Sequence, residues 1–228
     1  MLHSKGFSMS RNERLIPQSE LSLYTESELQ SVALAGLVRA IKPESMRLPD
    51  FRPLFVVGPH ASGKSALAKH SLGDDEHHFF DTGPLLRSYH QYDHADTTFG
   101  QWVSSNEATY GATFTDDVLA GHISTSLKQI AKRAVIIGNR SIDGIDRLSD
   151  TLGASDRKIV YIDAPTNLLH ERYQKREQRA VSLAEFEEIL NRDRRMGLSA
   201  LIGAADVVIN NDSDFEVAAD QLRRSLVN

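Results

Sequence analysis

From residue 54 onward, short apolar runs alternate with longer stretches of helical periodicity. Residues 54–57, 78–80, 134–137, 159–162 and 207–209 read as strands. Ala134, Val135, Ile136 and Ile137 are apolar throughout, and so are Ile159, Val160, Tyr161 and Ile162. Unbroken runs of that length suit strands buried on both faces of a parallel sheet. Helical patterns fill the connections, so each crossover is predicted to be right-handed. The expectation is an α/β fold over residues 51–228. Two connections exceed what a crossover needs, 81–133 and 163–205. Residues 82–130 are predicted to form an acceptor-covering insertion and 166–200 a lid-like region, because ligands of open parallel sheets bind beyond the carboxyl ends of the strands.

Residues 1–50 follow another pattern. The first 24 are polar and weakly patterned, and read as an arm. Thr25-Glu26-Ser27-Glu28 is a capping box. Leu29, Val32, Ala33, Gly36, Leu37 and Ala40 then recur at helical spacing, and Pro43 and Pro49 punctuate the exit. This accessory helix has an apolar stripe to bury, on the domain or on a partner.

Composition narrows the class. A chain of 228 residues, 40% hydrophobic and 25% charged, is long enough for one α/β domain with an appendage. The absence of cysteine excludes disulfides and thiolate metal sites and fits a reducing cytosol. No apolar run approaches about 18 residues, so no membrane span is expected. The opening Met1-Leu2-His3-Ser4-Lys5-Gly6 has no apolar core behind it, so a secretory signal is not expected and a cytoplasmic location is. A net charge of −5 argues against a broad basic field for nucleic acid and leaves a local basic patch open.

The first strand runs into Gly58-Pro59-His60-Ala61-Ser62-Gly63-Lys64-Ser65, which reads G-x-x-x-x-G-K-S, and Ala66-Leu67-Ala68-Lys69-His70 continues as helix. Strand, glycine turn and helix in that order make a phosphate-binding loop. Backbone N–H groups and the helix N-terminus converge on phosphate oxygens, Lys64 reaches the outer phosphates, and the Ser65 hydroxyl can hold Mg²⁺. Behind the second strand comes Asp81-Thr82-Gly83-Pro84-Leu85-Leu86-Arg87. Asp81 is expected at the strand's carboxyl end, orienting a hydroxyl or a metal-bound water. Arg87 is expected to point at the same cleft, where its fork suits phosphate. His90 and His94 are spaced to chelate a metal on a helix, but no third ligand stands at motif spacing, so the cluster with His77 and His78 reads as surface or loop histidines. Trp102 and Tyr110 read as packing inside the first insertion ahead of stacking on a base.

The loop together with D-T-G-x-x-x-R resembles the nucleoside monophosphate kinases, the adenylate and cytidylate kinases. Weaker matches follow in the same order: Gly111 to Leu119 resembles an acceptor-insertion helix entry, and Leu168 to Arg176 a lid entry. Arg192-Asp193 and Ala204 to Asn210 resemble the tail of cytidylate and dephospho-coenzyme A kinases. The resemblance spans about residues 52–225. It implies a three-layer P-loop kinase fold with a five-stranded parallel sheet of order 2-3-1-4-5, ATP and Mg²⁺ as cofactors, and γ-phosphoryl transfer. It also implies that Arg172 stacks on the ATP base, that Arg176 touches phosphates, and that Arg140, after the third strand, binds acceptor phosphate. Arg179, Arg192, Arg194 and Arg195 lie in or beside the same lid region. One position departs from the family: Ile137 stands where a strand-end carboxylate is usual. Asp81 or Asp143 could substitute, or phosphate oxygens and water could complete the metal shell. The resemblance favours a nucleotide-like acceptor held by Asp81, Arg87 and Arg140, with Lys64 and Arg176 steadying the γ-phosphoryl group. Two other readings stay open. One is a P-loop kinase acting on a hydroxyl of a small metabolite or of a hydroxymethylated DNA base, with Asp81 as base. The other is a non-catalytic nucleotide-binding module.

Overall fold

The computed structural model describes residues 46–226 apart from 74, 95, 129–131 and 213, and apart from the side chains of residues 92–94. The accessory helix expected over residues 25–40 lies outside the described residues. Five strands form one parallel sheet: β1 (Leu54–Val57), β2 (His77–Asp81), β3 (Arg133–Ile137), β4 (Lys158–Asp163) and β5 (Val207–Asn210). Their order across the sheet is β2-β3-β1-β4-β5, the order that the family resemblance implied. β1 matches its apolar run, and the other four strands run one or two residues longer, because polar ends such as Asp81 and Asp163 still pair in the ladder.

Period-two alternation divides the sheet's side chains between two helical layers. Leu54 and Val56 pack with Leu67 and Ala68 of α1 (Lys64–Leu72) and with Ala218, Ala219 and Leu222 of α9 (Phe215–Ser225). Phe55 and Val57 face the opposite layer. There α4 (Phe114–Leu127) contributes Val118 and Ile123, α5 (Ile142–Leu152) Ile145 and Leu148, and α8 (Leu198–Ala204) Leu201. Three layers result, with central β1 wholly buried.

The two long connections are helical. The first carries α2 (Thr82–His94), α3 (Phe99–Tyr110) and α4. Trp102 is buried there against Phe99, Phe114 and His90, while Tyr110 is exposed and stacks on Phe114. The His90 Nε2–H donates to the Thr97 carbonyl at 2.7 Å, so that nitrogen is engaged in ordering the α2–α3 turn. The second carries α6 (Thr166–Glu177), α7 (Leu183–Arg195) and α8; α6 and α7 pack about Phe186, Leu169 and Leu190. Among the described residues no helix is long and apolar enough to cross a membrane.

Register aligns the carboxyl ends of the strands. Val57 lies beside Tyr161, and Asp81 beside Ile137. Gly58 therefore leaves β1 directly against β4. Its φ is +139°, and a Cβ would overlap the Ile162 carbonyl oxygen, which is backbone and has nowhere to go. A Gly58→Ala substitution is expected to cost about 3 kcal/mol, the sum of a disallowed φ and a backbone clash. Urea unfolding at equilibrium measures it, and a loss under about 1 kcal/mol would contradict this packing.

Candidate active site

The loop from Gly58 to Ser65 wraps the N-terminus of α1. Its turn needs left-handed backbone at Ala61 (φ 61°) as well as at Gly63 (φ 88°). No side chain caps α1, whereas Ser141, Ser182 and Asp214 cap α5, α7 and α9. The first-turn amides of α1 thus remain open for an anion.

Asn211, just past β5, holds the loop from behind. Its Nδ2 donates to the Ser62 carbonyl at 2.8 Å, and a Cβ on Gly63 would meet the same nitrogen at 2.5 Å. Nothing in the motif spacing singles out Asn211. The only sequence signal is its place at the end of a strand whose neighbour is β4.

Lys64 folds over its own loop. The ammonium donates to the carbonyls of Gly58 (2.9 Å) and Pro59 (2.6 Å) and lies 3.4 Å from the Ser62 hydroxyl. Burial, then Arg140 and Arg176, bring its pKa down from 10.5 to about 7, against the opposing pull of Asp81. Next to it, the Ser65 hydroxyl donates to Asp81 Oδ2 at 2.6 Å. A serine hydroxyl and a carboxylate oxygen are hard donors of the kind Mg²⁺ selects, so this pair fits that ion. Asp81 is the register partner of Ile137, so a carboxylate lies one strand over from that position, at the end of β2. Asp143, the other candidate, is exposed in the first turn of α5.

Arginines meet across this loop. Arg140 is pushed down to about 10 by burial and then by Arg192, Arg87 and Arg176, while Asp81 works the other way. It remains cationic at neutral pH. Arg87 is exposed on α2, with its guanidinium folded back to within 3.5 Å of where a Cβ on Gly83 would lie. Arg192 is exposed on α7. Neither forms an ion pair among the described residues. Arg176 is exposed on α6, lies 5.1 Å over the Tyr173 ring and pairs with Glu177 at 2.9 Å. Arg172 is half-buried, with its Nη1 enclosed and unpartnered among the described residues. Arg179 pairs with Glu185 at 2.6 Å, and Arg194 donates to Asn191 at 2.8 Å; the Arg195–Glu188 pair is a loose 4.0 Å.

Arg140 is partly exposed but tied down by its neighbours. It forms an ion pair with Asp193 of α7, and its Nη2 lies 3.3 Å from His60 Nε2. Asp193 Oδ2 is also 2.7 Å from His60 Nδ1. Burial, then Arg140, Lys64, Arg176 and Arg192, push His60 down to about 3, so the ring is neutral. The carboxylate, which only accepts, lies closer to Nδ1 (2.7 Å) than the Arg140 Nη1 does (3.2 Å), which assigns the proton to Nδ1 and leaves Nε2 to accept from Nη2. This contact joins three segments that sequence spacing keeps far apart.

A cavity of about 660 Å³ opens beyond the ends of β4 and β5, bordered by Pro59 of the loop, Asp163, Thr166, Arg194, Ser199 and Asn210. Arg172 is not among the residues that line it.

A proton measurement follows from Lys64. A bound phosphate favours its charged form, so nucleotide binding near pH 8 should take up about one proton. The uptake should vanish toward about pH 6, where free Lys64 is already charged. Calorimetry in buffers of differing ionisation enthalpy reads this directly, and uptake that is absent at both values would contradict the lowered pKa.

No protein-family model matches the chain, and no curated protein matches it in sequence. Among solved structures it is similar to shikimate kinase from Bacteroides thetaiotaomicron, at 16% identity over 77% of this chain and 98% of that one. The TM-score is 0.48, a likeness too slight to speak to activity.

Proposed function

We propose that this chain is an ATP-dependent phosphotransferase whose acceptor itself carries a phosphate, a nucleoside monophosphate being the best match. The observation that carries the reading is the gathering of Arg87, Arg176 and Arg192 around Arg140, each lowering its proton affinity, with Arg140 and Arg176 acting in the same way on Lys64. Cations held together against their own repulsion call for more negative charge than Asp81 and Asp193 provide. Phosphoryl transfer between two phosphates supplies it, and in such a reaction positioning and charge neutralisation do most of the work.

The donor phosphates would lie on the open amides of α1, with Lys64 leaving the loop carbonyls for their outer oxygens. Ser65 and Asp81 would hold Mg²⁺, which would screen the phosphate charge. The cavity beside Pro59 has room for the donor's nucleoside. The α2–α4 connection would cover the acceptor, with Arg87 and Arg140 on its phosphate and Arg176 and Arg192 closing from the lid side. Asp81 accepts from Ser65 beside the metal position, which favours a metal-side role over that of a base for an alcohol.

Labelled ATP offered with nucleoside monophosphates, small polyols and hydroxymethylated DNA should label a monophosphate. Lys64→Ala should lower that rate by about 10² or more, and Arg87→Ala should raise the acceptor KM about tenfold with little change in the KM for ATP. Label on an alcohol alone, or full activity in Lys64→Ala, would overturn the reading. Tight nucleotide binding with no acceptor labelled would point instead to a non-catalytic module.

A further inference from the structure

We propose that Asp193 is the positioning residue of the acceptor side: its carboxylate holds the Arg140 guanidinium and the His60 ring as one unit, and through Arg140 it determines how tightly the cleft binds a second phosphate. The phosphate-binding loop of the donor and the arginine of the acceptor then share one anchor on α7.

Asp193 is a fully buried carboxylate, its side chain 1% exposed, while those of Arg140 and His60 keep 22% and 20% exposure. The anion is sealed away and part of each partner still reaches the cleft. Burying an ion pair is weak evidence for stability, because desolvation offsets most of the attraction. A role in geometry accounts better for its presence. Arg140 stands among Arg192, Arg87, Arg176 and Lys64, all of which repel it. Asp81 acts on it only at longer range and is already hydrogen-bonded to Ser65. Asp193 is thus the group in direct contact that keeps the guanidinium in the cleft. The backbone around it is equally constrained. Gly138 (φ +101°) turns the chain out of β3, Ser141 caps α5, and Gly197, at the end of α7, packs so that a Cβ would lie 3.4 Å from the Arg140 carbonyl. The side chain of Arg140 is therefore held by α7, and its carbonyl packs close to Gly197 just beyond that helix.

The inference rests on the phosphoryl-transfer reading only in placing a phosphate beside Arg140. Its test contains no turnover, so inactivity on every acceptor would overturn that reading and leave this result standing. Inorganic phosphate is titrated calorimetrically into full-length protein saturated with MgADP. Asp193→Asn should weaken phosphate binding about tenfold, the loss of one charge-assisted contact, while ADP affinity stays within about twofold. Arg140→Ala should lose a similar factor, and the double variant should be no worse than Arg140→Ala alone, because Asp193 acts through Arg140. Should Asp193→Asn fail to fold, as judged by circular dichroism, Asp193→Glu retains the charge but shifts the carboxylate and is expected to lose about threefold. Wild-type phosphate affinity in the variant that folds, or losses that simply multiply in the double variant, would overturn the proposal.

Discussion

The phosphate-binding loop can lie where it does because Gly58 has no side chain. The end of β1 presses on the Ile162 carbonyl of β4 so closely that only hydrogen fits between them. That contact fixes the loop's first residue to the sheet, and Asn211 fixes its far side through Ser62. With both ends pinned, left-handed backbone at Ala61 and Gly63 is held in place by its surroundings, and the α1 amides are aimed before any ligand arrives. The three-layer core supplies the rigidity that this demands, since Leu54 and Val56 are locked beneath α1, and Phe55 and Val57 beneath α4 and α5.

Around that loop the molecule accepts electrostatic cost. Lys64, Arg140 and His60 are all pushed toward their neutral forms, by burial first and by neighbouring cations next. Among the described residues two carboxylates lie in direct hydrogen-bond or ion-pair contact with these groups and the loop, and they are placed differently. Asp81 accepts from Ser65 at the start of α1. Asp193, buried, holds the cationic arm of β3 to α7. An anion entering the cleft would relieve the repulsion, so what destabilises the free protein becomes affinity for the ligand.

Much of the frame could be read from residue pattern alone. Apolar runs at β1, β3 and β4 and helical periods between them predict a parallel α/β sheet because burial on both faces leaves no other use for such runs. The loop motif was legible because it sets particular residues at fixed spacing between a strand and a helix, and the place of Asp81 because it ends a strand immediately before a helix. Asn211 and the His60–Asp193–Arg140 contact were not legible. They join positions up to 149 apart, and no local periodicity records which side chains meet once strands are laid in register. The arginines of α6 and α7 illustrate the same point: spacing put Arg172 and Arg176 on one helix face, but Arg176 stands exposed against Glu177 and Tyr173, and Arg192, farther along the chain, acts on Arg140 more strongly than Arg176 does.

The sequence by itself determined the class of fold, the glycine loop that opens α1, and the charge types near it, because each follows from local spacing and from what a buried strand or a glycine turn permits. Only the tertiary structure decided which carboxylate lies beside Ile137 and Ser65 and which contacts Arg140. Register sets Asp81 beside Ile137 and carries it to Ser65, and the packing of α7 over the loop brings Asp193 to His60. Those pairings arise from sheet order and layer packing, in which the distance between two residues along the chain carries no information.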